Sequence, residues 1–343
     1  MEDDARATLE PRTVTLSDVA QKAGVSISTA SRVVNERAVV SEAKRERVLA
    51  VVQELGYVAN SLARSFRLGE TRTVGVLVPE ATDPYFMHMI RGIEDVLVPE
   101  GYALLIASSH HQPDLEVRYC QMLAERRMDG AILVLISQTL PRLDRWFAAS
   151  TPIVLADTLS NDAIHDCVLD DNRHGINLLV DLLSNLGHQS LGLVVGSSDI
   201  IAGRERETAF RERCAHGNLR PLIWRGDYSE AFGESVADAV VRSEATAVIG
   251  ANSQISVGLL TGLQRRHTAI PAELSFASYG DVANAELLTV PPCVVRQPAV
   301  ETGREAAHRL LHHTRDRSQE KPSVVLRLRP ELVMRSSVGP PAK

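Results

Sequence analysis

Within residues 14–35, VTLSDVAQKAGVSISTASRVVN, apolar side chains recur at helical spacing on both sides of a single glycine. This pattern constrains the fold of the N-terminal region more than any other feature. Leu16, Val19, Ala20 and Ala23 fall at i, i+3, i+4 and i+7, one buried face of a first helix. Gly24 is placed to end that helix, because a residue without a Cβ enters the left-handed region without a clash. Val25 then packs inward and Ser26 supplies the N-cap of a second helix, with Ile27, Ala30, Val33 and Val34 expected to face the interior. The outer face is left with Ser28, Thr29, Ser31 and Arg32, hydroxyls and a guanidinium suited to phosphate oxygens and base edges. Two short helices joined this way can dock into a DNA major groove. An ordinary helical hairpin has the same pattern, and the stretch alone does not separate the two.

Charge separates the ends of the molecule. The chain of 343 residues carries a net charge of −6, yet residues 12–72 hold ten basic against six acidic side chains. That end is therefore at +4 and the remainder at −10, a polarity that turns the basic end toward a phosphate backbone. An apolar fraction of 44% suffices for two or three compact units. An acidic, polar start and the lack of any long apolar run predict neither export signal nor membrane span, hence a cytoplasmic protein. Cys120, Cys167, Cys214 and Cys293 are scattered and form no CxxC or His-linked cluster, so they read as buried free thiols. No metal site or cofactor is expected. The pairs His110–His111 and His312–His313 lack the acidic or cysteine company of a metal site, and no GxGxxG, GxxxxGKS or GxSxG stands between a strand and a helix, which argues against an enzyme.

A third helix should start after Ser41 and run from about Glu42 to Leu55, stopping at Gly56, with Val48, Val51, Val52 and Leu55 completing a small core. Residues 60–66, NSLARSF, capped by Asn60, are too few for a stable isolated helix. From Thr73 the pattern alternates. Strand candidates are residues 73–78, 102–107, 130–136, 152–156, 190–195, 247–251, 274–278 and 294–296, separated mostly by amphipathic helical stretches such as 85–98, 114–127, 173–186 and 253–266. Short apolar runs followed by helices indicate parallel sheets covered on both faces.

Residues 14–66, with VTLSDVAQKAGVSISTASRVVN and VSEAKRERVLAVVQELGYVANSLARSF, resemble the DNA-binding headpiece of the lactose-repressor (LacI/GalR) family of bacterial regulators. Further matches run through TRTVGVLVP, RRMDGAILV, LGHQSLGLVVG, GDYSEAFG, VRQP and RPELVMRSS, so the similarity spans nearly the whole chain to about Ser337. The resemblance implies an all-α helix-turn-helix headpiece with a hinge helix, followed by a periplasmic-binding-protein-like α/β core of two doubly wound parallel-sheet subdomains. It divides the chain into a disordered tail (1–12), a headpiece (13–58), a hinge (59–71), an N-subdomain (72–168 with 298–327), a C-subdomain (169–297 with 328–338) and a tail (339–343).

The same resemblance implies DNA contacts from Thr15, Leu16, Ser26, Ile27, Ser28, Thr29, Ser31, Arg32 and Asn35, with Ile27 and Ser28 at base-reading positions. Hinge residues Asn60, Ala63, Arg64 and Phe66 would enter the minor groove, Phe66 standing where the family usually has an intercalating leucine and Ala59 where it has proline. Effector contacts are implied for Tyr85, Phe86, Asp157, Asp171, Arg206, Tyr228, Ser253 and Asp281. Ser253 and Gly280 stand where sugar-binding relatives carry aspartate, a loss that favours a sugar acid or phosphorylated sugar beside Arg206 over a neutral sugar. The implied function is a transcriptional repressor that binds a pseudo-palindromic operator as a homodimer, under a carbohydrate-related effector held between the core subdomains. The alternative is a solute-binding protein with no role at DNA, against which residues 1–72 argue. The segment after Pro330 contains no leucine heptads of the kind that make tetramers, so a dimer is expected.

Overall fold

The computed structural model describes residues 14–34, 40–57, 70–136, 143–159, 164–316 and 322–342. The chain forms two compact units, residues 1–71 and 72–343.

The first unit holds α1 (Leu16–Ala23), α2 (Ile27–Val34) and α3 (Glu42–Leu55). Thr15 caps α1 in a reciprocal box with Asp18: the Thr15 N–H donates to Asp18 Oδ2 at 2.9 Å, and the Asp18 N–H donates to Thr15 Oγ1 at 3.3 Å. Gly24 takes φ 63° and returns its N–H to the last turn, which frees the chain to reverse. Ser26 Oγ then accepts from the Thr29 N–H at 3.2 Å and starts α2. Val19, Ala20, Ala23, Ala30, Val33, Val48 and Val51 form the buried core, and Lys22 on α1 pairs with Glu54 on α3 at 2.7 Å. One expectation fails. Ile27 does not face inward: as the first residue of α2 it is 55% exposed, beyond the edge of the core that takes Ala30 and Val33.

The second unit contains two six-stranded sheets. The first has the order β11-β5-β4-β3-β1-β2, built from β1 (Thr73–Val78), β2 (Ala103–Ser108), β3 (Gly130–Leu133), β4 (Ile153–Ala156), β5 (Asp166–Asp170) and β11 (Val325–Leu328), all parallel. Its helices are α4 (Pro84–Leu97), α5 (Pro113–Glu125) and α10 (Ala299–Arg315), with α10 packed along α4. The second sheet has the order β12-β10-β9-β8-β6-β7: β6 (Ser190–Val195), β7 (Arg220–Arg225), β8 (Ala247–Gly250), β9 (Ser275–Tyr279), β10 (Cys293–Arg296) and β12 (Glu331–Val333). Only β12, paired to β10, runs antiparallel there. It is covered by α6 (Asn172–Asn185), α7 (Ile201–His216), α8 (Glu230–Val241) and α9 (Ser253–Arg265).

Central strands such as β3, β4, β5 and β8 are buried along their whole length, as parallel strands covered on two faces must be. The chain passes between the lobes three times: from β5 to α6, from β10 to α10, and from β11 to β12. The loops that follow the carboxyl ends of the strands meet at these passages, where open α/β sheets bind ligands. All four cysteines are buried thiols, and none is in a disulfide. Among the described residues, no helix is long and apolar enough to cross a membrane.

Candidate functional site

Two sites are built on this frame, one on each unit. On the first unit, α2 presents Ile27 and Ser28 at its start and Arg32 in its last turn to solvent, with Thr29 and Ser31 partly exposed beside them. Ser26 Oγ lies 2.9 Å from Ser28 Oγ and 2.8 Å from Thr29 Oγ1, a hydroxyl cluster at the positive end of the helix dipole. Thr15 is exposed and Leu16 partly so at the start of α1. Two helix N-termini with hydroxyls, an exposed aliphatic and a guanidinium can hold phosphate and read base edges. Asn35, Asn60, Ala63, Arg64 and Phe66 lie outside the described residues.

On the second unit, the strand ends enclose a cavity of about 50 Å³ between the lobes. Tyr85, Phe86, Asp157, Arg206, Tyr228 and Ser253 all line it, drawn from both sheets. Arg206, on α7, is buried and held on three sides. Its Nε donates to Asn172 Oδ1 at 2.8 Å, its Nη1 donates to the Ala251 carbonyl at 2.7 Å, and its guanidinium lies 4.0 Å over the Tyr279 ring. Asp157 follows β4 with φ 48°. Burial, with the neighbouring Asp170 carboxylate next, pushes the Asp157 acid up to about 8, against the opposing pull of Arg206. Burial also raises Asp170 at the end of β5, while Gln297 donates to its Oδ2. One oxygen of each acid, and the hydroxyls of Tyr85, Tyr228 and Tyr279, are buried without a well-formed protein partner. Polar atoms left in that state are costly, and their grouping around Arg206 marks a place where a ligand can complete them.

Tyr228 is seated by close glycine contact: a Cβ on Gly203 would stand 2.5 Å from its hydroxyl. Its ring stacks on His111 of the opposite lobe, with centroids 6.0 Å apart and planes within 4°. Burial lowers the His111 pKa, favouring the neutral ring. His110, the other half of that pair, instead meets Glu80 at 3.2 Å.

Two expected effector residues are not brought to this cavity. Asp171 caps α6, accepting from the His174 N–H at 3.0 Å. Asp281 is held by Arg296 at 2.8 Å and Arg335 at 2.9 Å, and with Gly280 it lines an outer groove of about 610 Å³. Conversely, Asp83, His111, Asn252 and Gln297 line the cavity without having been singled out for it. The Asp83–Pro84 pair was a legible helix start, with the carboxylate accepting from the Tyr85 N–H at 2.9 Å. Nothing in the sequence marked its reach across the cleft.

Comparison with known proteins agrees with both units. The family model for bacterial regulatory proteins of the lacI family matches residues 15–60, and that for a periplasmic binding protein-like domain matches residues 180–338. The HTH-type transcriptional repressor PurR of Vibrio parahaemolyticus is 31% identical over 332 residues, covering 94% of this chain and 98% of that protein. The crystal structure of the Lac repressor dimer bound to operator and the anti-inducer ONPF superposes with a TM-score of 0.84 at 24% identity, over 96% of this chain and all of that one. A LacI family transcriptional regulator from Enterococcus faecium with bound ribose gives 0.70 at 26% identity, over 78% and 99%. With a matching headpiece, a matching core and a relative of this identity along nearly its full length, the chain belongs to the LacI family of bacterial regulatory proteins and is a DNA-binding transcriptional regulator.

Proposed function

We propose that this protein is a cytoplasmic repressor that binds a pseudo-palindromic operator as a homodimer and is controlled by a small polyhydroxylated effector in the cleft. The observation that carries the DNA half is the exposure of Ile27, Ser28 and Arg32 along α2. Ser28 can hydrogen-bond a base edge and Ile27 suits a thymine methyl, while Arg32 would contact mostly the phosphate backbone. A twofold pair of such helices would read two half-sites about one helical turn apart. The Lac repressor neighbour is a dimer on operator, which supports that arrangement.

The cavity supports a neutral effector over an anionic one, against the expectation drawn from the serine and glycine at 253 and 280. Asp157 and Asp170 lie near a single guanidinium, that of Arg206, which is already bonded to Asn172 and Ala251, and Asp83 lines the same cavity. A sugar acid or phosphate would bring a charge into a desolvated site where burial already disfavours the charged forms of Asp83, Asp157 and Asp170. Hydroxyl groups can donate to the open oxygen of Asp157 and pair with the hydroxyls of Tyr85 and Tyr228, which line the cavity. The ribose complex of the Enterococcus relative is consistent with that class. Thermal-shift titration with neutral pentoses, hexoses and disaccharides beside the matching sugar acids and phosphates tests this. Stabilisation confined to neutral sugars is expected; stabilisation confined to the anions refutes the assignment of ligand class.

A further inference from the structure

The lobes also touch through their own side chains inside the cleft. Asp83, which starts α4 in the first lobe, is buried and receives the Ser253 hydroxyl from the start of α9 in the second, at 3.2 Å to Oδ1 and 3.3 Å to Oδ2. Asp83 Oδ1 is at the same time capping Tyr85, so the bond ties the N-termini of two helices on opposite sheets to one carboxylate. Beside it the His111–Tyr228 stack spans the same gap. The space left is about 50 Å³, whereas small-molecule sites commonly measure roughly 300–1,000 Å³. A sugar-sized molecule exceeds this space as it stands, and Asp83 and Ser253 are among the residues that line it.

We propose that the Ser253–Asp83 hydrogen bond is a self-made clasp that holds the lobes shut and competes with the effector for the closed cleft. This rests on reading the cleft as the effector site. It gives the serine at 253 a specific purpose: a hydroxyl donates to Asp83, while a carboxylate in its place would set a second negative charge against a buried one. Ligand affinity is then reduced by the free energy of opening the clasp, as for any protein whose binding-competent state is a minor population.

Hydrogen exchange on the full chain, with no sugar added, reads the clasp directly. Ser253→Asp is expected to speed exchange about tenfold in peptides covering residues 83–87 and 252–256, leaving the protection of β1 and β6 as in the parent. Ser253→Asn, whose amide can donate to Asp83, should keep parental protection. The double variant Asp83→Asn with Ser253→Asp, which restores a donor–acceptor pair in reverse, should recover it. If Ser253→Asp unfolds the lobes altogether, recovery of fold and protection in the double variant supports the clasp. Parental exchange in Ser253→Asp, or no recovery in the double variant, overturns it. The readout needs no ligand, so a failed clasp is distinguishable from a failed effector reading, which the sugar titration tests separately.

Discussion

Asp157, Asp170 and Arg206 concentrate the chemistry of the core. Folding raises the Asp157 pKa from 3.8 to about 8, so the native state binds a proton that the unfolded chain releases between those values. The stability it contributes is therefore full below about pH 4 and is lost as pH rises toward 8. Asp157→Asn mimics the protonated acid. Its melting temperature should exceed the parent's by several degrees at pH 8, with the gap closing toward pH 4; a gap independent of pH would contradict this. Arg206→Met has the opposite sense, because it leaves two buried acids without their cation. A loss of about 3–5 kcal/mol is expected, read as a lower urea midpoint. A midpoint unchanged from the parent would mean that Arg206 does not hold the cluster together.

At the level of helices and strands, the headpiece was the most legible part of the chain, because its punctuation is local. Ser41 and Gly56 bracket α3 at Glu42–Leu55, and Gly24 separates α1 from α2. A residue at φ 63° with no atom within 4 Å of its missing Cβ makes Gly24→Ala a clean test of backbone strain. The substitution should cost about 1–2 kcal/mol of headpiece stability and leave the melting of the core unchanged. Equal stability of the two headpieces would show that the left-handed turn is not what ends α1.

The core strands were legible where apolar runs were continuous, as in β1 and β6, and not where the strand is short or half-exposed. β5, DCVLD, is bracketed by acids, and the edge strand β7, RPLIWR, contains a proline and exposed arginines. β11 and β12 are four- and three-residue pieces whose assignment depends on which sheet receives them. Missing β5 also hid Asp170, which owes its place in the acidic cluster to being that strand's last residue. The pocket was legible wherever one residue follows a strong strand, as Asp157 follows β4. Asp281 shows the limit: Arg296 lies 15 positions downstream of it and Arg335 lies 54, so no local pattern announced that both would claim its carboxylate.

Across the whole molecule, the basic N-terminal end and the acidic remainder place the electrostatic attraction for DNA in the first unit, with recognition of a small molecule proposed for the second. Arg32→Ala should weaken binding to every DNA fragment and reduce the salt dependence of the affinity by about one phosphate contact, with the core's melting untouched. An unchanged salt slope would remove Arg32 from the backbone contacts. The most direct test of the central claim is to incubate the purified full chain with fragmented genomic DNA and excess bulk competitor, then sequence what it retains. Retained fragments that share an inverted repeat are the predicted result. Retention with no sequence preference over competitor would contradict the account.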